Sequence, residues 1–350
     1  MHYSSRTSLR VTIKDVARAA GVSAQTVSRV INDRPDVAED TRQRVQQIID
    51  DLGYRPSALA RSLIQQRSFT LGVVTAGLKY IGPSRTLNGI TQRAEELGYS
   101  LMLKELPSFT AVEYQSLIHS LLARHVDGII WATSEVGDNQ SWVDEGLEEI
   151  PVPTVFITTQ ARPDVFSVSY DNYLGGRNAA QHLIDQGYRN IGHISGPLDW
   201  WEARQRKMGW EDVLKEANLS VQPCQCSEGN WSPASGEQAF RQLVEAYPDM
   251  DAVFVGNDQM ALGVLQRAAR IGKRIPQDLG VVGFDGIPET RYYLPPLSTV
   301  FQDQNRLGFT AVEKIVEIIE HIRGEGEAVG PEAISLQPEL IIRDSSIKKK

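Results

Sequence analysis

The chain has 350 residues, 41% of them hydrophobic, a formal charge of −8 and two cysteines. Such a length supplies a sizeable core and two or three domains. The acid excess excludes a uniformly basic nucleic-acid coat, and a lone C-x-C (Cys224, Cys226) is too little for a disulfide framework or a zinc site. The opening residues, MHYSSRTSLRVTIKD, hold no apolar signal core, and no apolar run approaches the roughly 18 residues of a membrane span. A cytoplasmic, nucleoid-associated protein is expected, with no membrane partner, metal or cofactor. The charge is uneven: residues 1–68 hold 11 Lys/Arg against 7 Asp/Glu, net +4, which leaves −12 for the remainder. A basic first fifth on an acidic body points to two tasks in one chain.

In chain order, Thr12 followed by Asp15 opens a helix in the manner of a capping box. Ile13, Val16, Ala17 and Ala20 recur at helical spacing, and Gly21 ends the helix. Ser23 caps a second helix in which Val27, Val30 and Ile31 face inward and Ala24, Gln25, Ser28 and Arg29 face outward. A third, Glu39–Leu52, ends at Gly53 and buries Val45, Ile48, Ile49 and Leu52. Two short helices joined by a glycine turn and braced by a third form a helix-turn-helix unit over residues 1–56. In the major groove Gln25 can pair with adenine, Arg29 with guanine, and Ala24 can touch a thymine methyl. Thr12, Ser23, Thr26, Ser28, Asn32 and Thr41 can hold phosphates. A small helical bundle with an ordinary polar face is the competing reading.

Residues 57–68 follow Pro56, which stops the third helix. SALARSL makes two turns with no core of its own. It reads either as a plain linker or as a segment that folds on DNA, Leu63 wedging the minor groove with Ser57 and Ala60 beside it.

From Phe69 short apolar runs alternate with amphipathic helices. FTLGVVT, SLMLKE, DGIIWAT, FSVSYDN, NIGHIS, DAVFVGN and LGVVGFD read as strands, and PEAISLQPELIIRD as one C-terminal strand. Helices are expected over Ser84–Leu97, Val112–Ala123, Leu174–Asp185, Glu202–Ala217, Pro233–Tyr247, Gln259–Ile271 and Gln304–Ile322. This alternation implies two doubly wound parallel-sheet lobes over 69–345. The first takes about 69–168 plus 302–325, the second about 169–300 plus 328–345, and 346–350 form a basic tail. No GxGxxG or Walker pattern follows a strand. Ligands of such folds sit at the carboxyl ends of strands. There stand Trp200, Arg206, Trp231, Asn257 and Asp285: flat rings, a guanidinium, an amide and a carboxylate, which suit a sugar. The alternative is that Asn257 and Asp285 cap helices and the tryptophans are core.

VTIKDVARAAGVSAQTVSRVIN and GYRPSALARSL, with GYRNIGHISGP, GNWSPASGEQAF, VFVGNDQMALGVL, LGVVGFDGIPE and PPLSTVFQD at matching separations, resemble the lactose-repressor family of bacterial regulators. The resemblance implies a symmetric homodimer that reads a pseudo-palindromic operator, with hinge helices in its minor groove and Leu63 as the wedge. It also implies a periplasmic-binding-protein-like domain whose small saccharide effector controls DNA affinity, with Arg206, Trp231, Asn257 and Asp285 at sugar-contacting positions. Departures from the pattern are Ser57 in place of Asn, Thr158 in place of a sugar-binding Asp, and Trp200 and Glu202 in place of small serines. Two other readings are a solute-binding protein for sugar transport and a regulator responding to a non-sugar co-repressor. A sugar-active enzyme using Asp199, Glu202, Asp258 or Asp285 as acid or base finds no support beyond fold, and fold alone licenses no chemistry.

Overall fold

The computed structural model describes residues 11–31, 34–54, 67–110, 114–324, 326 and 329–348, with the backbone alone at 144 and 145. Its contacts divide the chain into two compact units, Met1–Ser68 and Phe69–Lys350.

In the first unit α1 (Ile13–Ala20), α2 (Ala24–Ile31) and α3 (Glu39–Asp51) enclose one small core of Val16, Ala17, Ala20, Val27, Val30, Val45 and Ile49. Asp15 accepts both the Thr12 amide and hydroxyl, at 3.0 and 2.6 Å, which fixes the entry to α1. Gly21 ends it at φ +66°, a left-handed conformation that closes the tight turn. Ser23 Oγ accepts the Thr26 amide at 3.0 Å and so starts α2. Two expected faces shift. Ala24 is half-buried against the core instead of facing outward, and Leu52 lies past the end of α3, 40% exposed, outside the buried stripe.

The second unit is built on two six-stranded sheets. The first contains β1 (Thr70–Ala76), β2 (Ser100–Leu106), β3 (Gly128–Ala132), β4 (Thr154–Ile157) and β5 (Phe166–Tyr170). The second contains β6 (Ile191–Ser195), β7 (Cys226–Glu228), β8 (Ala252–Val255), β9 (Gly280–Asp285) and β10 (Ser298–Phe301). Two C-terminal strands, β11 (Ala333–Leu336) and β12 (Glu339–Ile341), complete them in the orders β11-β5-β4-β3-β1-β2 and β12-β10-β9-β8-β6-β7. All pairings are parallel except β10 with β12. Strands buried on both faces explain the continuous apolar runs. Val73 and Val74 enter different core clusters on opposite faces of the first sheet, as do Val253 and Phe254 in the second.

Helices α4 (Ile81–Glu96), α5 (Gln115–Leu122), the single turn α6 (Val143–Gly146) and α11 (Gln304–Ile322) belong with the first sheet. α7 (Asn172–Asp185), α8 (Trp201–Glu216), α9 (Pro233–Ala246) and α10 (Asp258–Arg270) cover the second. The chain passes between lobes three times, between β5 and α7, β10 and α11, and β11 and β12. The expected C-terminal strand is therefore two strands in different sheets, and 333–336 joins the first lobe instead of the second. β5 carries the first lobe on to Tyr170. α4 begins at Ile81, before the expected Ser84. Strands β4, β7 and β10 are additional to those expected. Residue 346 is no tail: Ser346 is fully buried, its hydroxyl 2.7 Å from His182 Nε2 and from Ser298 Oγ. Both cysteines are free, Cys224 exposed and Cys226 half-buried. Among the described residues no helix is long and apolar enough to cross a membrane.

Candidate effector pocket and DNA-reading helix

On the first unit, Gln25 and Arg29 are exposed on α2 and Ser28 is half-buried. Arg29 is 3.4 Å from Asp36, with both side chains about half in solvent. Thr12 and Ser23 are exposed, Thr26 and Thr41 half-buried, and the Ser23 and Thr26 hydroxyls lie 2.9 Å apart. Asn32, Ser57, Ala60 and Leu63 lie outside the described residues.

In the second unit one cavity encloses about 870 Å³ of empty space, counting its opening to solvent. Trp200, Arg206, Trp231, Asn257 and Asp285 all line it. The loops after β3 and β4 add Thr133 and Thr158, and the lobe crossovers add Asn172, Gln302 and Gln304. β1 and β6 are the strands at which each sheet order reverses, so the cavity occupies the switch point expected of doubly wound sheets.

Arg206 is buried, and its Nε and Nη1 have protein partners. Its Nε donates to Asn172 Oδ1 at 2.8 Å and Nη1 to the Gly256 carbonyl at 2.5 Å. Nη1 also lies 3.6 Å from Asp285 Oδ1, and the guanidinium sits 3.8 Å over the Phe284 ring. A Cβ on Gly176 would overlap the Arg206 carbonyl, so glycine lets α7 and α8 close and sets where Arg206 emerges. Asn172 also accepts from Gln302 Nε2, Gln302 accepts from Gln304, and Gln304 from the Thr86 hydroxyl, a polar floor running through two crossovers. Asn257 satisfies both readings: it lines the cavity and caps α10. Its Oδ1 accepts the Met260 amide at 2.8 Å, and its Nδ2 donates to the Trp231 carbonyl at 3.0 Å. Asp285 ends β9 and caps no helix.

Four rings form a run along the wall: Tyr80 to Phe109 at 6.0 Å, Phe109 to Trp200 at 4.5 Å, and Trp200 to Trp231 at 5.6 Å. A Cβ on Gly196 would overlap the outer atoms of the Trp231 six-membered ring, so glycine there lets the indole approach the backbone. Thr158, Trp231 and Asp285 all have positive φ, +57°, +71° and +100°. Bulky or β-branched residues rarely occupy that region, and such strain gathers at functional sites.

Burial pushes the Asp285 carboxyl up to about 6, against the pull of Arg206 and Arg85. Glu202, 7% exposed, is pushed up to about 7 by burial, with Arg206 and the Ser134 hydroxyl opposing. Asp258, beneath Asp285, is held well above the usual carboxylate range by burial and by Asp285. It accepts from the Thr299 hydroxyl at 2.6 Å and the Ile287 amide at 2.9 Å, so it buttresses β9 instead of facing the cavity. Three polar atoms of cavity-lining residues are buried with no hydrogen-bond partner: Thr133 Oγ1, Glu202 Oε2 and Trp231 Nε1. Native interiors rarely tolerate such orphans.

Thr133, Asn172, Gln302 and Gln304 were not among the residues expected at the pocket. Each directly follows a strand or a crossover, and placing β5 and β10 to the residue would have found them. Asp199 and Arg204, which flank Trp200 in the sequence, do not line the cavity; Arg204 donates to the Leu198 and Asp199 carbonyls instead.

A helix-turn-helix unit and a two-lobed α/β unit with a polar cleft define a ligand-binding, DNA-binding regulator. Residues 12–57 match the family of bacterial regulatory proteins, lacI family, and residues 180–346 match the periplasmic binding protein-like domain. The chain is 33% identical over 319 residues to the lactose operon repressor of Escherichia coli (strain K12), covering 91% of this chain and 86% of that protein. It is 34% identical over 334 residues to the HTH-type transcriptional repressor PurR of Haemophilus influenzae (strain PittEE), covering 95% and 98%. The lac repressor dimer bound to operator and the anti-inducer ONPF superposes with a TM-score of 0.84 at 32% identity, over 96% of this chain and 99% of that one. A transcriptional regulator CelR–cellobiose complex gives 0.70 at 30%, over 96% and 100%. The chain belongs to the lacI family of bacterial regulatory proteins. It is a DNA-binding transcriptional repressor with a ligand-binding domain, and its relatives are repressors, not enzymes.

Proposed function

We propose that this repressor binds a pseudo-palindromic operator in the cytoplasm as a homodimer, and that a small saccharide in the cavity controls its affinity for DNA. The observation that carries the saccharide is the set of three orphaned polar atoms beside two indoles that meet edge to face. A sugar offers hydroxyls that both donate and accept and an apolar ring face that lies on an indole. Trp200, Arg206, Trp231, Asn257 and Asp285 are the effector residues in this reading.

On DNA, Gln25 and Arg29 read base edges with Ala24 beside them, Thr12, Ser23, Thr26, Ser28, Asn32 and Thr41 set register on phosphates, and Ser57, Ala60 and Leu63 form the hinge. Control requires the sugar to favour one arrangement of the lobes over another, a coupling typically of about 1–3 kcal/mol. A planar heterocycle is the second reading: the face of one indole can take one, and several relatives bear the name PurR.

The test is fluorescence anisotropy of a labelled palindrome from upstream of the gene, at fixed salt, with galactosides, glucosides, arabinosides and free nucleobases. Release by one sugar class supports an inducible repressor, and tighter binding makes that sugar a co-repressor. A response to nucleobases alone sinks the saccharide reading.

A further inference from the structure

The saccharide reading leaves the chemical class of the sugar open, and Glu202 narrows it. This residue opens α8, where an acid in the first turn is ordinary. It does not point to water: it is 7% exposed and lines the cavity. Its Oε2 is buried with no partner, although Arg206 stands one turn further along the same helix. Arg206 turns its Nε to Asn172 and its Nη1 to Gly256 and Asp285, and makes no hydrogen bond to Glu202. Among the described residues that line the cavity, Arg206 is the one cation, against two carboxyl groups, Glu202 and Asp285. A buried carboxyl oxygen lacking a donor is costly, and a ligand that brings the donor removes the cost. An anionic substituent meets the reverse situation, since its charge is buried beside two carboxyl groups with a single guanidinium to offset them, and that guanidinium already stands 3.6 Å from Asp285.

We propose that Glu202 is the specificity-determining residue of this cavity: it takes a saccharide whose hydroxyl or ammonium group donates to Oε2, and the cavity rejects sugars carrying a carboxylate or phosphate. This inference rests on the saccharide reading above. It concerns a position where the family resemblance leads one to expect a small serine, so it separates this chain from relatives that share Arg206 and Asp285.

The experiment is isothermal titration of the full chain and of its E202Q and E202S variants, at one salt concentration. The probes are glucose, galactose and cellobiose, glucosamine and galactosamine, and glucuronate, galacturonate and glucose 6-phosphate. The neutral or amino sugars should bind the wild type, and their uronate or phosphate counterparts should bind about tenfold more weakly or not at all. Both variants should weaken the best wild-type binder by about tenfold. The glucose–glucosamine and galactose–galactosamine pairs then tell a hydroxyl donor from an ammonium donor. Anionic sugars binding as well as their neutral parents would overturn the proposal, as would an unchanged ranking and affinity in both variants. A wild type silent to the whole panel would instead overturn the saccharide reading, and this inference with it.

Discussion

The outward face of α2 and the wall of the cavity are the two recognition surfaces we propose, and they hold their polar groups in opposite states. On α2, Arg29 sits half in solvent beside Asp36, and the Ser23 and Thr26 hydroxyls pair with each other. In the cavity, Glu202, Thr133 and Trp231 each keep a buried polar atom with nothing to bind. DNA need only displace water and a weak exposed ion pair, so the reading face is cheap to expose and cheap to alter. The cavity already bears an unmet cost that a ligand can relieve, so substitutions there should move stability and response together.

The largest effect is expected from Arg206→Ala. It removes a buried guanidinium from Asp285 and leaves Asn172 Oδ1 and the Gly256 carbonyl without that donor. Losing one partner of a buried pair costs about 3–5 kcal/mol, read as a fall in Tm, and the sugar response should vanish while operator binding persists below the new Tm. A surviving response at ordinary sugar concentration would place the effector elsewhere. Next comes the pH dependence of Glu202. Its carboxyl is pushed up to about 7 from an ordinary 4.5 by burial, and Arg206 and Asp285 are its charged neighbours. The folded chain therefore keeps a proton that the unfolded chain releases near 4.5, so stability should decline as pH rises from there to about 7 and level off above. Glu202→Gln deletes that contribution. The Tm advantage of the variant should widen between pH 5 and 7.5, and a constant difference would show that the carboxyl is not held protonated.

The two surfaces also differ in how far they were legible in the sequence. The α2 unit could be read almost to the residue, because capping residues, a glycine stop and an apolar stripe act over one turn. The exceptions, half-buried Ala24 and exposed Leu52, lie at helix ends, where a helical period loses its meaning. In the second unit the strand-end rule brought Trp200, Arg206, Trp231, Asn257 and Asp285 to one cavity. Glu202 was harder to see because an acid in a first helical turn is usual on the surface, and only the fold shows that this turn faces inward. Thr133, Gln302 and Gln304 are neutral and carry no signature of their own. β4 was missed because TVFI is a four-residue run between prolines and polar residues. The splitting of 333–341 between two sheets depends on a two-residue link that carries no periodic signal.

Arg29→Ala should leave the Tm nearly unchanged, in contrast to Arg206→Ala, since the pair it breaks is exposed. It should cost about 1–3 kcal/mol on the true operator and relax specificity at one base pair. Competition binding against single-base operator variants measures both. An equal loss on random DNA would reduce Arg29 to a phosphate contact, and the α2 face would then be attractive without being selective.

The smallest effect tests whether Ser23 serves the helix or the DNA. Its hydroxyl caps α2 through the Thr26 amide at 3.0 Å, and the same oxygen is the proposed phosphate contact. Ser23→Ala removes both functions and should cost about 1 kcal/mol through the cap alone. Ser23→Gly removes the hydroxyl as well, but glycine at a cap position costs only a few tenths. If the hydroxyl's work is capping, alanine should weaken operator binding severalfold and glycine hardly at all, and faster hydrogen exchange at the α2 amides should follow the same order. If it is a phosphate contact, the two variants should lose affinity alike whatever happens to exchange. In that second outcome α2 would no longer be a surface whose groups are already satisfied before DNA arrives, and Ser23 would join the cavity atoms in waiting for a partner.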